Sequence, residues 1–199
     1  MWHPINCFKV KDMIRDEASG IAQEFKKRVL IIGLILGIFW SLELIDIAGI
    51  QLDQFGIIPR NSTGLRGILF APFLHANFSH LIANTLPFVT LGWLVMLRRT
   101  TDFFIVSLIS MVVGGLGTWF IGSAGLHIGA SGVIFGYLGF LLFRGYFERK
   151  LTSMIMSAIV GLFYGGLLLG LLPNQPGVSW EGHLFGFIGG CIAAKMLAE

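Results

Sequence analysis

An all-α, polytopic membrane bundle is the fold that this sequence predicts, and three observations carry it. The chain of 199 residues is 55% hydrophobic and only 13% charged, with a mean hydropathy of +0.79. A soluble domain holds roughly a quarter of its residues as charges. Six apolar stretches approach the ~20 residues that a helix needs to cross a bilayer. The basic residues gather at the edges of these stretches, where they meet lipid headgroups and not a nucleic-acid groove.

Taken in order, residues 1–28 mix Lys9, Lys11, Arg15, Lys26, Lys27 and Arg28 with Asp12, Asp16, Glu17 and Glu24, and read as a short cytoplasmic N-terminal segment. The membrane domain then occupies 29–199. Span one runs from Val29 to Ile47 and lacks the small-residue cleavage pattern of a signal peptide. Spans two to six are expected near 79–97, 102–121, 130–147, 153–172 and 181–198. Pro87 falls inside span two, where a kink is expected. The first loop, 49–78, carries Phe55, Phe70, Phe73, Leu74 and Phe78, which suits a segment partly embedded in the outer leaflet. The fifth loop, Pro173 to Trp180, is placed to cap whatever lies between the outer ends of the spans.

Twelve basic residues fall on one side of these spans, and only Arg60 and Arg66 fall on the other. The excess of positive charge marks the cytoplasmic side. Both termini are therefore expected in the cytoplasm, with a bacterial plasma membrane as the setting. Cys7 and Cys191 then both face a reducing compartment, so no disulfide is expected. This direction of threading brings three spans' reactive side chains to one depth. Ser131 opens span four, His183 opens span six, and His80 and Asn84 open span two.

A serine hydroxyl becomes a nucleophile only beside a base, and histidine is the usual one. Histidine inside a membrane is costly and marks function by default. His80 and Asn84 are four apart and share a helix face. His75, five before His80, would point away on a continuous helix and is assigned to the preceding loop. On span six, His183 shares a stripe with Gly186 and Gly190, and span four offers Gly132, Gly136 and Gly139 as the facing surface. Small residues let membrane helices approach closely, which would bring the imidazole of His183 to the hydroxyl of Ser131. Glu181, Glu43 and Asp46 are not placed to orient that imidazole.

The ordered set His75-x4-His80-x3-Asn84, Gly129-Ala130-Ser131-Gly132 and Gly182-His183 followed by Gly186 and Gly190 resembles the rhomboid intramembrane serine proteases. The resemblance covers residues 29–198. It implies a Ser-His dyad with Ser131 as nucleophile and His183 as base, and an oxyanion site from the Ser131 amide with His80 and Asn84. It assigns His75 to support of the first loop and of the active-site water. Phe135 stands where the family often has a tyrosine that stacks on the histidine, and Leu65-Arg66 stands where it usually has Trp-Arg. Span five, with Gly161, Gly165, Gly166 and Gly170, becomes the lateral gate. The partners implied are the lipid bilayer and transmembrane helices with small residues at the cut, and no cofactor.

Taken singly, each of these residues has a plainer use: Ser131 as helix packing, His183 as a structural hydrogen bond, His80 and Asn84 as interhelical glue. No acidic or cysteine partner joins the histidines in a metal-ligand spacing, so no metal is expected. Asn61-Ser62-Thr63 is a formal glycosylation sequon taken as chance. Two rival classes are a catalytically silent rhomboid-like protein that binds membrane helices, and a small channel or transporter. A channel would need polar side chains through both leaflets, whereas the polar groups read here are confined to the outer half.

Overall fold

The computed structural model describes residues 7–173 and 177–198, with side chains from Arg15 onward. Helix α1 runs unbroken over Cys7–Ile45, 39 residues. The boundary expected at residue 28 is thus a change of composition and not of backbone. Lys, Glu and Arg are good helix formers, so the charged lead-in continues the helix of the first span. Ile32, Phe39 and Glu43 are buried on one face of α1, while Leu30, Leu34 and Ile38 on the other are exposed. A wide turn, Asp46–Ile50, ends it at Gly49, whose φ of 101° favours glycine.

The first loop is built from short helical turns. Asp46 accepts hydrogen bonds from the amides of Leu52 and Asp53. Asn61 caps the turn Ser62–Arg66 through Thr63, accepting from its amide at 2.9 Å and its hydroxyl at 2.8 Å. The sequon asparagine therefore has a structural use. Arg66 donates to the carbonyl of Gln54 at 3.0 Å and lies 4.5 Å from the centre of the Phe55 ring. That contact anchors the loop without a tryptophan at Leu65. Helix α2 spans Gly67–Phe70.

The longer helices follow as α3 (Phe78–Met96), α4 (Thr100–Ile121), α5 (Ser131–Glu148), α6 (Leu151–Tyr164) and α7 (Trp180–Met196). Pro87 is accommodated within α3. The expected fifth span departs from a uniform helix: after Tyr164 the chain tightens into a 3-10 segment, Gly165–Leu171. Three glycines in seven residues weaken the α form there. Four segments are long and apolar enough to cross a membrane: 15–50, 78–96, 100–121 and 151–171. Helices α5 and α7 have 18 and 17 residues and lie among the others, where protein replaces lipid as their surroundings. No strand forms among the described residues, only an isolated bridge between Ile57 and His127.

The expected glycine contact is present. A Cβ added at Gly186 would lie 2.0 Å from the carbonyl oxygen of Gly132, and one at Gly190 1.9 Å from that of Gly136. Backbone meets backbone along α5 and α7. At the far end of the bundle Glu148 bonds Arg98 at 3.0 Å and Arg144 at 2.9 Å, and Arg98 also donates to the Leu197 carbonyl at 2.7 Å. This ionic cluster ties the ends of α3, α5 and α7, where the sequence set basic residues at the span edges but gave no sign of the shared Glu148. Phe88, Phe103 and Tyr137 pack together in the core.

Substituting Gly190→Ala is expected to force α7 off α5 and to cost about 1–3 kcal/mol or more. Gly37→Ala, with open space around its Cβ, is expected to be neutral or slightly stabilising. Thermal unfolding of both variants in detergent checks the contrast.

Candidate active site

The first turns of α3, α5 and α7 border one cavity of about 980 Å³. Ser131, His183, His80, Asn84 and Phe135 all line it. The residues that the sequence put at one depth are therefore at one place. Ser131 is the first residue of α5, where the leading amides of a helix lack partners and carry partial positive charge.

His183 is buried, with the Phe135 ring stacked on it at 4.1 Å and 10° between planes. Such pairs contribute about 0.5–1.5 kcal/mol beyond burial. Its Nδ1 lies 2.9 Å from the carbonyl oxygen of Gly170. A carbonyl only accepts, so Nδ1 carries the proton and Nε2 keeps its lone pair. The expected direct bond between Ser131 and His183 is not formed; among the described residues the two groups share the cavity without a hydrogen bond.

His80 has the opposite arrangement. The amide of Ala76 donates to its Nδ1 at 3.5 Å, a long contact. An amide only donates, which leaves the proton on Nε2. Gly129 lies beneath the ring: an added Cβ would be 2.7 Å from His80 Nε2 and 3.8 Å from the Ser131 hydroxyl. Its φ of 119° is a second reason for glycine. Asn84 donates to the His80 carbonyl at 2.9 Å, holding the amide side chain against its own helix at the cavity wall. Its other N–H is not needed for that bond.

His75 sits in the loop before α3, as expected, and from there its ring meets that of His80: the centroids are 5.2 Å apart, with Phe39 5.3 Å on another side. Burial pulls its pKa down to about 4, aided by the neighbouring His80, so the ring is neutral at pH 7. Gly132, Gly136, Gly186 and Gly190 lie at the α5–α7 contact. Glu181 does turn away from His183 and accepts from the Ser123 amide at 2.8 Å. The middle of the expected capping loop, 174–176, lies outside the described residues; Gly177, Val178 and Trp180 border the cavity. Cys191 is a free, half-buried thiol. Among the described residues no three His, Cys, Asp or Glu side chains group as metal ligands.

Sequence reasoning passed over His127. It too borders the cavity, bonded to Ser179 and to the carbonyl of Ser123. Its place two residues before the Gly129-Ala130-Ser131 run is the one signal in the sequence; in a loop a histidine is not costly as it is within a span.

The fold and cavity define an all-helical integral membrane protein. The Rhomboid domain family matches residues 62–199, and the chain belongs to the rhomboid family. It is 45% identical to an uncharacterized protein of Mycobacterium bovis over 173 residues, 82% of this chain and 72% of that one. A Mycobacterium leprae protein, also uncharacterized, is 43% identical over 82% of this chain and 68% of its own. The rhomboid protease GluP of Bacillus subtilis is 31% identical over 62% of this chain and 24% of its length.

His75 gives the stability a pH dependence. Unfolded, it titrates near 6.5; folded, near 4. Between those values the unfolded chain binds the extra proton, so the contribution is full above 6.5 and fades as pH falls toward 4. The pKa difference corresponds to about 3 kcal/mol. His75→Gln is expected to flatten the loss of thermal stability across that acid range, measured in detergent at a series of pH values.

Proposed function

We propose that the chain is an intramembrane serine endopeptidase that cleaves the transmembrane helices of other proteins near the outer face. The observation that carries the reading is the opposite setting of two histidines around one cavity with Ser131. His183 is held with a free lone pair at Nε2, and His80 with a proton at Nε2. One is ready to take a proton and the other to donate a hydrogen bond.

In this reading the Ser131 oxygen attacks the carbonyl carbon of the scissile bond while its proton passes to His183 Nε2. The tetrahedral oxyanion is met by the Ser131 amide, the Nε2–H of His80 and the remaining N–H of Asn84. Collapse breaks the C–N bond, and His183 returns the proton to the departing amine. Water, deprotonated by the same imidazole, then hydrolyses the acyl-serine. This step needs hydroxyl and imidazole within hydrogen-bond reach; such contacts are often long before substrate binds. Phe135 keeps the imidazole flat against α5, and His75 backs His80 as a neutral neighbour.

In this reading α1, α3, α4, α5, α6 with its 3-10 extension, and α7 are six spans, which leave both termini on one side, the cytoplasm, and the cavity toward the outside. The inside-positive arrangement of basic residues supports that direction. Substrate enters beside α6, whose outward residues Leu162 and Phe163 are among the most exposed. Its helix must unwind locally to offer a carbonyl, which favours small residues at the cut and glycine or proline nearby. The missing direct Ser131–His183 bond favours a second reading, a catalytically silent rhomboid-like protein that binds membrane helices. The aromatic cluster of Phe88, Phe103 and Tyr137 in the core argues against a channel.

A fluorophosphonate is expected to label Ser131 in the wild type, and a reporter with a glycine-weakened membrane helix to be cut. Ser131→Ala abolishes both, and His183→Ala lowers cleavage by at least about a thousandfold. A folded wild type that neither labels nor cleaves supports the silent reading; label surviving Ser131→Ala assigns the nucleophile elsewhere.

A further inference from the structure

His127 joins the loop that leads to Ser131 to the helix that carries His183. Its Nε2 lies 3.0 Å from the Ser123 carbonyl, which only accepts, so Nε2 holds the ring proton. Nδ1 is then the acceptor, and the Ser179 hydroxyl donates to it at 2.6 Å. Every polar atom of the imidazole is occupied, and the ring is buried. The backbone is fixed as well: His127 exchanges two hydrogen bonds with Ile57, each 2.9 Å, and the Gly129 amide donates to the Ala71 carbonyl at 2.9 Å. Glu181 adds a second hold on the same loop through the Ser123 amide.

The spacing gives this clamp its meaning. Ser131 is four residues after His127 and His183 four after Ser179, so both pairs are separated by 52 residues. His183 donates its amide to the Ser179 carbonyl at 3.1 Å, in the first turn of α7. One helical turn therefore connects the clamp to the imidazole. On the other arm three residues connect it to the hydroxyl, with Gly129 pinned between them.

We propose that His127 is a positioning residue: by accepting the Ser179 hydroxyl it sets the separation of Ser131 from His183. The inference rests on the reading of those two groups as the catalytic pair. His127 needs no contact with the scissile bond, and its ring nitrogens are already engaged, so its effect falls on the chemical step and not on binding. Asparagine at 127 offers an acceptor near the place of Nδ1 and preserves the link; leucine fills similar space and removes it.

The test uses the full chain in proteoliposomes with a synthetic transmembrane peptide containing a glycine-weakened, small-residue segment. Cleavage kinetics and the rate of fluorophosphonate labelling are measured together, with thermal unfolding as the check on folding. Ser179→Ala and His127→Leu are each expected to lower kcat and the labelling rate by about tenfold to a hundredfold, with KM within about twofold. The double variant should be no worse than His127→Leu alone, and His127→Asn should recover most of the rate. Wild-type kinetics in Ser179→Ala, multiplying losses in the double variant, or His127→Asn as poor as His127→Leu would overturn the clamp alone. An inert and unlabelled wild type removes the catalytic reading and the clamp with it. Should His127→Leu not fold, Ser179→Ala decides, since it deletes a single oxygen.

Discussion

The close approach of α5 and α7, backbone against backbone, is the constraint on which the remainder of the molecule depends. Lipid is as apolar as leucine, so burying side chains gives helices in a membrane little reason to associate. Close packing and polar contacts must do that work. With glycine at 132, 136, 186 and 190 the two helices come near enough for carbonyl oxygens to occupy the space of missing methyl groups. The residues opening these helices, Ser131 and His183, inherit that proximity. α4 joins the same contact: a Cβ at Gly114 would meet the Gly186 backbone at 3.3 Å. Three helices thus form one close-packed unit, one end of which borders the cavity.

What the sequence revealed, and what it hid, follows from the range of each interaction. The glycine stripes repeat at helical spacing, so the facing surfaces of α5 and α7 could be read directly. The common depth of Ser131, His183, His80 and Asn84 was legible in the order and direction of the spans, and the meeting of His183 with Ser131 in the glycine stripes. The stacking of Phe135 on His183 came through the family resemblance. The run of α1 through residue 28 was hidden because charge marks a membrane boundary without breaking a helix. His127 and Ser179 were hidden because their partnership is tertiary; neither has a periodic pattern to announce it. The Gly170 carbonyl was hidden too, since a backbone acceptor leaves no trace in residue identity.

The polar groups divide into two layers that differ in kind. At the cavity end histidines and hydroxyls border open space, with Glu181 held on the Ser123 amide beside them. At the other end they are ionic: Glu148 is shared by Arg98 and Arg144, with Asp102 buried nearby. Paired charges of this sort are costly to desolvate but tie several elements at once. Phe88, Phe103 and Tyr137 belong to the core, where the Tyr137 hydroxyl is met by Ser107 at 2.7 Å. One end of the bundle is bound shut while the other retains room.

The 3-10 segment after Tyr164 has a consequence for reach. A 3-10 turn rises about 2.0 Å per residue against about 1.5 Å for an α-helix. The 21 residues Leu151–Leu171 therefore extend about 35 Å, some 3–4 Å further than a uniform α-helix of equal length. Its side chains also stack in three rows instead of winding round, so this stretch is slimmer as well as longer. This slimmer stretch is the part of the chain that presents the Gly170 carbonyl to the His183 ring.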